Sequence, residues 1–215
     1  DAEIENAYLA YIAEHGKSYG TEEEFKFRMN LYNQRVQFIR EHNAKVEEGE
    51  ATVGINHMAD WTEAEYNKLL GYKPGPNAHK ASKTVSGDVS DLPAAVDWRA
   101  KGAVTPIKNQ GQCGSCWSFS TTGGIEGQWF LAGNPLTSLS EQLFVSCDTI
   151  DHGCQGGLMD NAYTWAMKDN GGNLVTEASY PYVSGGGQVP ACDKEGKKFG
   201  AHITGFENIA KNEDD

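Results

Sequence analysis

Five cysteines, at positions 113, 116, 147, 154 and 192, stand in a chain of 215 residues, and residues 1–112 contain none. No other feature limits the fold as strongly. An odd number in a secreted chain implies two bridges and one thiol kept for another purpose. The first question is which cysteine is spare.

Composition divides the chain near residue 91. Residues 1–70 are rich in Glu, Lys, Asn, Ala and Tyr and read as helix. Ile4, Tyr8, Tyr11 and Ile12 form a short amphipathic stripe that ends at His15-Gly16, where glycine is a natural stop. Phe25, Met29, Tyr32, Val36 and Ile39 step by four and three along one face of a second helix. Thr21 is its expected N-cap, ahead of an acidic run that suits a helix N-terminus. Glu24 and Arg28 make an i,i+4 pair of favourable polarity. Residues 51–60 alternate like a short strand, and Trp61–Leu70 returns to helix. Residues 73–91 hold two prolines and few apolar side chains, the composition of a linker, where proteases cut. After Leu92 glycine, cysteine and aromatic residues take over. Helices are expected over Ser115–Leu131, with Phe119, Ile125, Trp129 and Phe130 available for a core, over a short stretch running to Cys147 with Ser138 and Ser140 as two candidate caps, and over Leu158–Lys168.

Several function classes drop out on composition. The net charge is −12 and neither sign forms a long block, which argues against nucleic acid as a partner. Hydrophobic content of 39% and charged content of 22% fit a soluble globular chain. No apolar run approaches the roughly 20 residues that cross a bilayer, and Asp1-Ala2-Glu3 opens no basic-then-apolar signal pattern.

The chemistry concentrates in Gln110-Gly111-Gln112-Cys113-Gly114-Ser115-Cys116-Trp117. A redox Cys-x-x-Cys needs both thiols at the start of a helix in a thioredoxin-like setting, and the segment ahead lacks a clear buried strand. A zinc site would draw on Cys147 and Cys154, whose spacing, with His152 between, is poor for a zinc knuckle. The third use is a thiolate nucleophile. Unpaired backbone N–H groups at a helix N-terminus stabilise a thiolate, and Cys116 falls in the first turn of the 115–131 helix. Gln110, on the loop entering that helix, can aim its side-chain NH₂ at the oxygen of a tetrahedral intermediate and share an oxyanion hole with the Cys116 N–H.

This segment resembles the active-site signature of papain-like cysteine proteases. The resemblance continues through Leu92-Pro93-Ala94-Ala95-Val96-Asp97-Trp98-Arg99, Leu139-Ser140-Glu141-Gln142, Gly153-Cys154-Gln155-Gly156-Gly157 and Tyr180-Pro181-Tyr182, in the family's order. Residues 1–91 are similar to a cathepsin L-type inhibitory pro-segment. Glu24, Arg28, Ile39 and Asn43 fit its interrupted helical motif, with Tyr32 where phenylalanine and Arg35 where asparagine is customary, and Gly54, Asn56 and Asp60 fit the neighbouring one, with Met58 in place of the usual aromatic.

The resemblance implies an α+β fold: a mainly helical pro-domain over 1–72, a linker with the maturation cleavage region over 73–91, and a papain-like catalytic domain from 92 to 215. That last part would be the helical left lobe of a two-lobed fold, with the second, β-barrel-like lobe largely absent from these residues. Cys116 would be the nucleophile and Gln110 the oxyanion donor, with Cys113–Cys154 and Cys147–Cys192 as the bridges. Gly156 and Gly157 would offer bare backbone to a substrate peptide as an added strand. Gly114 would line the pocket for the residue before the cut, and Leu158 and Met159 would contribute to the neighbouring specificity pocket, favouring an apolar side chain there. No cofactor and no metal are expected.

The signature also needs a histidine and an asparagine roughly 130–150 residues downstream of the nucleophile, beyond residue 215. His152 and His202 do not match that position. The expectation is the zymogen of a cysteine endopeptidase whose partners are peptide and protein substrates, its own pro-segment as intramolecular inhibitor, and the rest of the catalytic domain. The rival is a non-catalytic pro-segment-type inhibitor or binding protein. Residues 1–91 and 92–215 each carry a net charge of −6, so net charge does not join them, and acid should release the pro-segment by protonating paired carboxylates. A lysosomal or other acidic endosomal compartment, or secretion, is the location the resemblance implies.

Overall fold

The structure, a computed structural model, describes residues 2–75 and 92–209. Most of the expected linker, including the cleavage region near Asp91-Leu92, lies outside the described residues. The chain divides into two compact units, Asp1–Asn67 and Lys68–Asp215, so residues 68–75 pack with the second.

The first unit is built on helices α1 (Ala2–Glu14), α2 (Glu22–Asn43) and the short α3 (Glu63–Asn67). The Thr21 hydroxyl caps α2 by accepting from Glu24 N at 3.1 Å. The inward face of both long helices is aromatic: Tyr8, Tyr11 and Tyr32 are buried with Ala59, and Phe25, Met29 and Val36 pack around them.

Beside this core lies a buried charge. Asp60 is 0% exposed and accepts hydrogen bonds from Tyr8 and Tyr11 at 3.1 Å, Tyr19 at 2.5 Å and Lys17 at 2.6 Å. Arg28 extends the network. It bonds Glu24 at 2.6 Å, as the sequence suggested, but also Glu65 at 2.5 and 2.8 Å and the Asp60 carbonyl at 3.0 Å. One guanidinium thereby fastens α2, the turn at 57–60 and α3 together, which its fork of donors allows.

The strand expected over residues 51–60 does not form. Asn43 occupies its backbone: the side-chain amide donates to Val53 O at 2.8 Å and accepts from Val53 N at 2.9 Å. Asn56 then turns the chain by accepting from Met58 N. Side-chain amides take the role of a neighbouring strand, so the alternation has no ladder to join. The helix expected over Trp61–Leu70 shortens to five residues.

The second unit holds α4 (Cys116–Leu131), α5 (Glu141–Cys147), α6 (Met159–Lys168) and an antiparallel pair, β1 (Asn173–Val175) with β2 (Phe199–His202). Leu139, Leu143, Phe144, Ala162, Trp165, Leu174 and Ala201 form its core with Trp117 and Ile125 of α4. The buried face of α4 is otherwise polar, carrying Ser118, Thr121, Thr122 and Glu126. Glu126 and Glu141 converge on Lys108 Nζ at 2.8 and 2.6 Å, and Thr105 and Thr122 donate to the same carboxylates. Burial pushes the Glu141 carboxyl up despite this company. Cys113 is bonded to Cys154 and Cys147 to Cys192, leaving Cys116 free.

Candidate active site

The thiol of Cys116 stands at the first residue of α4, and the loop before it is held on three sides. The Cys113–Cys154 bond ties it to the turn at Gly153–Gln155. Gly114 N donates to Cys154 O at 3.0 Å, and Gln112 N donates to Gly185 O at 2.7 Å. Gly111 has φ +63° and lies so near Gly185 that a Cβ would come within 2.4 Å of its carbonyl oxygen, so only glycine fits both the backbone and the space.

The opposite wall is the edge Gly156-Gly157-Leu158, set by Asp151. Its Oδ1 accepts from Leu158 N and from Asn161 Nδ2, both at 3.0 Å. A Cβ on Gly157 would meet Asp151 Cγ at 2.6 Å and Trp117 Cδ2 at 2.7 Å. Asp148 lies behind, accepting from Ile150 N. Burial and the facing Asp151 push its carboxyl up to about 7. The remaining oxygens, Asp148 Oδ2 and Asp151 Oδ2, have no donor partner among the described residues.

Residues 69–73 lie between these walls, all within the second unit. Gly157 N donates to Gly71 O at 2.8 Å and Lys73 N donates to Gly157 O at 2.9 Å, a parallel bridge centred on Tyr72. Gln110 Nε2 donates to Leu69 O at 3.0 Å and to Cys113 O at 2.8 Å. A Cβ on Gly71 would sit 1.8 Å from Gly114 O, and one on Gly156 would sit 2.5 Å from Gly71 O. Glycines 71, 114 and 156 thus let two backbones approach more closely than any side chain permits.

Four of the residues singled out from sequence meet one segment. Gln110, Gly114, Gly156 and Gly157 all touch the 68–73 segment. Leu158 is buried immediately before α6, and Met159 is packed against the core. Neither candidate histidine is marked as a partner of the thiol: His202 Nδ1 is engaged with Asn173 Oδ1 at 3.1 Å, and His152 is exposed. Sequence reasoning missed Asp151, gave Tyr182 no role beyond its place in the Tyr180-Pro181-Tyr182 motif, and did not single out the bridge that residues 69–73 make. Leu69-Leu70-Gly71-Tyr72 has no periodicity of its own, and a partner tens of residues away leaves no local pattern.

A free cysteine at a helix start, together with a glycine edge already paired with a segment of the same chain, defines the class of papain-like proenzymes. More particularly, residues 92–215 match the family described as papain family cysteine protease, and residues 8–66 match the cathepsin propeptide inhibitor domain (I29). The chain belongs to the papain family. It is 48% identical to a cysteine proteinase of Trypanosoma brucei brucei, across 98% of this chain and 47% of that protein. It is 45% identical to cysteine proteinase A of Leishmania mexicana, across 96% and 59%. The chain thus spans about half the length of these relatives. Among solved structures it resembles the digestive procathepsin L2 proteinase of Tenebrio molitor larval midgut, with a TM-score of 0.81 and 30% identity over 94% of this chain and 66% of that one.

Proposed function

We propose that these residues are the pro-segment and first catalytic lobe of a cysteine endopeptidase zymogen. Cys116 is the nucleophile: its thiolate attacks the scissile carbonyl, the amine leaves, and water hydrolyses the resulting acyl-enzyme. Gln110 Nε2 and the Cys116 N–H stabilise the oxyanion. Gly157 bonds the substrate backbone as an added strand, with Gly114 and Gly156 keeping the edge bare. Leu158 and Met159 contribute an apolar pocket. The imidazole base and its orienting asparagine belong to sequence beyond residue 215, in keeping with the greater length of the relatives.

The observation that carries this reading is the occupation of both polar anchors of the site, the Gln110 amide and the Gly157 backbone, by residues 69–73. A segment that fills the peptide-binding groups of its own chain keeps substrate out. Glu24, Arg28, Tyr32, Ile39, Asn43, Gly54, Asn56 and Asp60 maintain the unit from which that segment emerges. The two disulfides suit an oxidising route to secretion or to an acidic endosomal or lysosomal compartment.

The test is peptide hydrolysis by the full-length protein before and after acid maturation. Activity should appear with loss of the pro-segment and vanish in Cys116→Ala. Hydrolysis that survives Cys116→Ala would refute the assignment.

A further inference from the structure

The Tyr182 hydroxyl lies 2.8 Å from the backbone carbonyl oxygen of Gln110 and 2.8 Å from the Ser115 hydroxyl. A carbonyl only accepts, so the single phenolic proton goes to Gln110 O and the phenolic oxygen accepts from Ser115. Ser115 immediately precedes α4, yet its side chain makes no cap bond to that helix. A serine here ordinarily caps the helix, and this one is turned to Tyr182 instead.

Tyr182 is itself firmly placed. Its backbone N–H donates to Glu177 Oε1 at 2.9 Å, and the next two N–H groups donate to Gln142 Oε1 on α5. Phe119 of α4 meets its ring edge-on at 4.9 Å. Burial raises the phenol above its ordinary value, so the proton stays in place.

We propose that Tyr182 is a positioning residue for catalysis, its hydroxyl fixing the span between the Gln110 backbone and the start of α4. The Gln110 side chain is thereby held on a loop tied at both ends, to Tyr182 and to Cys113 O, just ahead of Cys116. The link closes a loop whose other ties are Gln110 Nε2 to Cys113 O and Gln112 N to Gly185 O. Removing it frees the Gln110 backbone to drift while the peptide edge at Gly157, anchored separately through Asp151, stays put. This proposal rests on the assignment of Gln110 and Cys116 made above.

The test is steady-state kinetics of the matured full-length enzyme with Tyr182→Phe, Gln110→Ala and the double variant. Tyr182→Phe should lower kcat about tenfold with KM changed less than about twofold, since the oxyanion forms only in the transition state. In the Gln110→Ala background the same change should cost less than about twofold, because there is no amide left to position. Ser115→Ala, which removes the other half of the link, should lower kcat in the same sense. The proposal is overturned if Tyr182→Phe leaves kcat unchanged, or if its effect multiplies in full with that of Gln110→Ala. A Gln110→Ala enzyme with unchanged kcat would instead remove the oxyanion assignment, and the Tyr182 proposal with it.

Discussion

The side-chain amide of Gln110 donates to the carbonyl oxygen of Leu69 at 3.0 Å. The group proposed to receive a substrate oxyanion is thus already filled by a carbonyl of the same chain. The pairing of Gly157 with Gly71 and Lys73 fixes the direction of that segment as it passes the site.

Gly71→Ala should loosen this seat. The added methyl would fall 1.8 Å from Gly114 O, a backbone atom with no rotamer to escape into. Overpacking typically costs about 1–3 kcal/mol, or roughly 5- to 150-fold in an inhibition constant. Inhibition of the mature enzyme by an added 1–91 segment should weaken by that factor. Gly75→Ala, at a position with nothing within 4 Å, should leave it unchanged.

Asp60→Asn should destabilise the N-terminal unit. It removes the buried carboxylate that Lys17 and three tyrosines surround, and breaking a buried pair from one side costs about 3–5 kcal/mol. Hydrogen exchange of α2 amides should accelerate while those of α5 and α6 keep their protection. Equal acceleration in both units would show that Asp60 supports more than its own unit.

Acid should act on the two units in opposite senses. Arg28 holds Glu65 down at about 2. Burial pushes Asp60 up, but Lys17 and the tyrosines outweigh it and leave the carboxyl below its ordinary range. Both groups stabilise the fold above their unfolded values, roughly 4.3 for Glu65 and roughly 3.9 for Asp60, and that stability is lost as pH falls below them. Asp148, raised to about 7, has the reverse sign: its contribution is present in acid and lost as pH rises through 7. Amide exchange at about pH 8, 5 and 3 should show α6 gaining protection from 8 to 5, and α2 losing it from 5 to 3.

The helices were legible because each carries its own signal: a stripe at helical spacing, a Thr21 or Ser140 cap, and a glycine stop. The chemistry was legible because Gln110, Cys113 and Cys116 stand within seven residues. The false strand at 51–60 shows the limit, since its alternation is real but Asn43, on another element, claims the backbone. Lys108 was invisible for the same reason. Its partners Glu126 and Glu141 are 18 and 33 residues away, and each alone reads as a solvated charge.

Lys108→Met should be strongly destabilising, by about 3–5 kcal/mol, because it strands Glu126 and Glu141 without a cation. Since burial already pushes Glu141 up, the penalty should shrink in acid, where the carboxyl protonates. Urea denaturation at about pH 8 and pH 5 should show the larger loss at pH 8.

The account turns on whether residues 69–73 cover a reactive Cys116. The most direct measurement is the rate at which a peptide-based epoxide labels Cys116 in the full-length precursor, in its Gly71→Ala variant and in the mature enzyme. Labelling should be slow in the precursor, fast after maturation, and intermediate to fast in Gly71→Ala without cleavage. Equal rates in precursor and mature enzyme, or a Gly71→Ala precursor that labels as slowly as the parent, would contradict it.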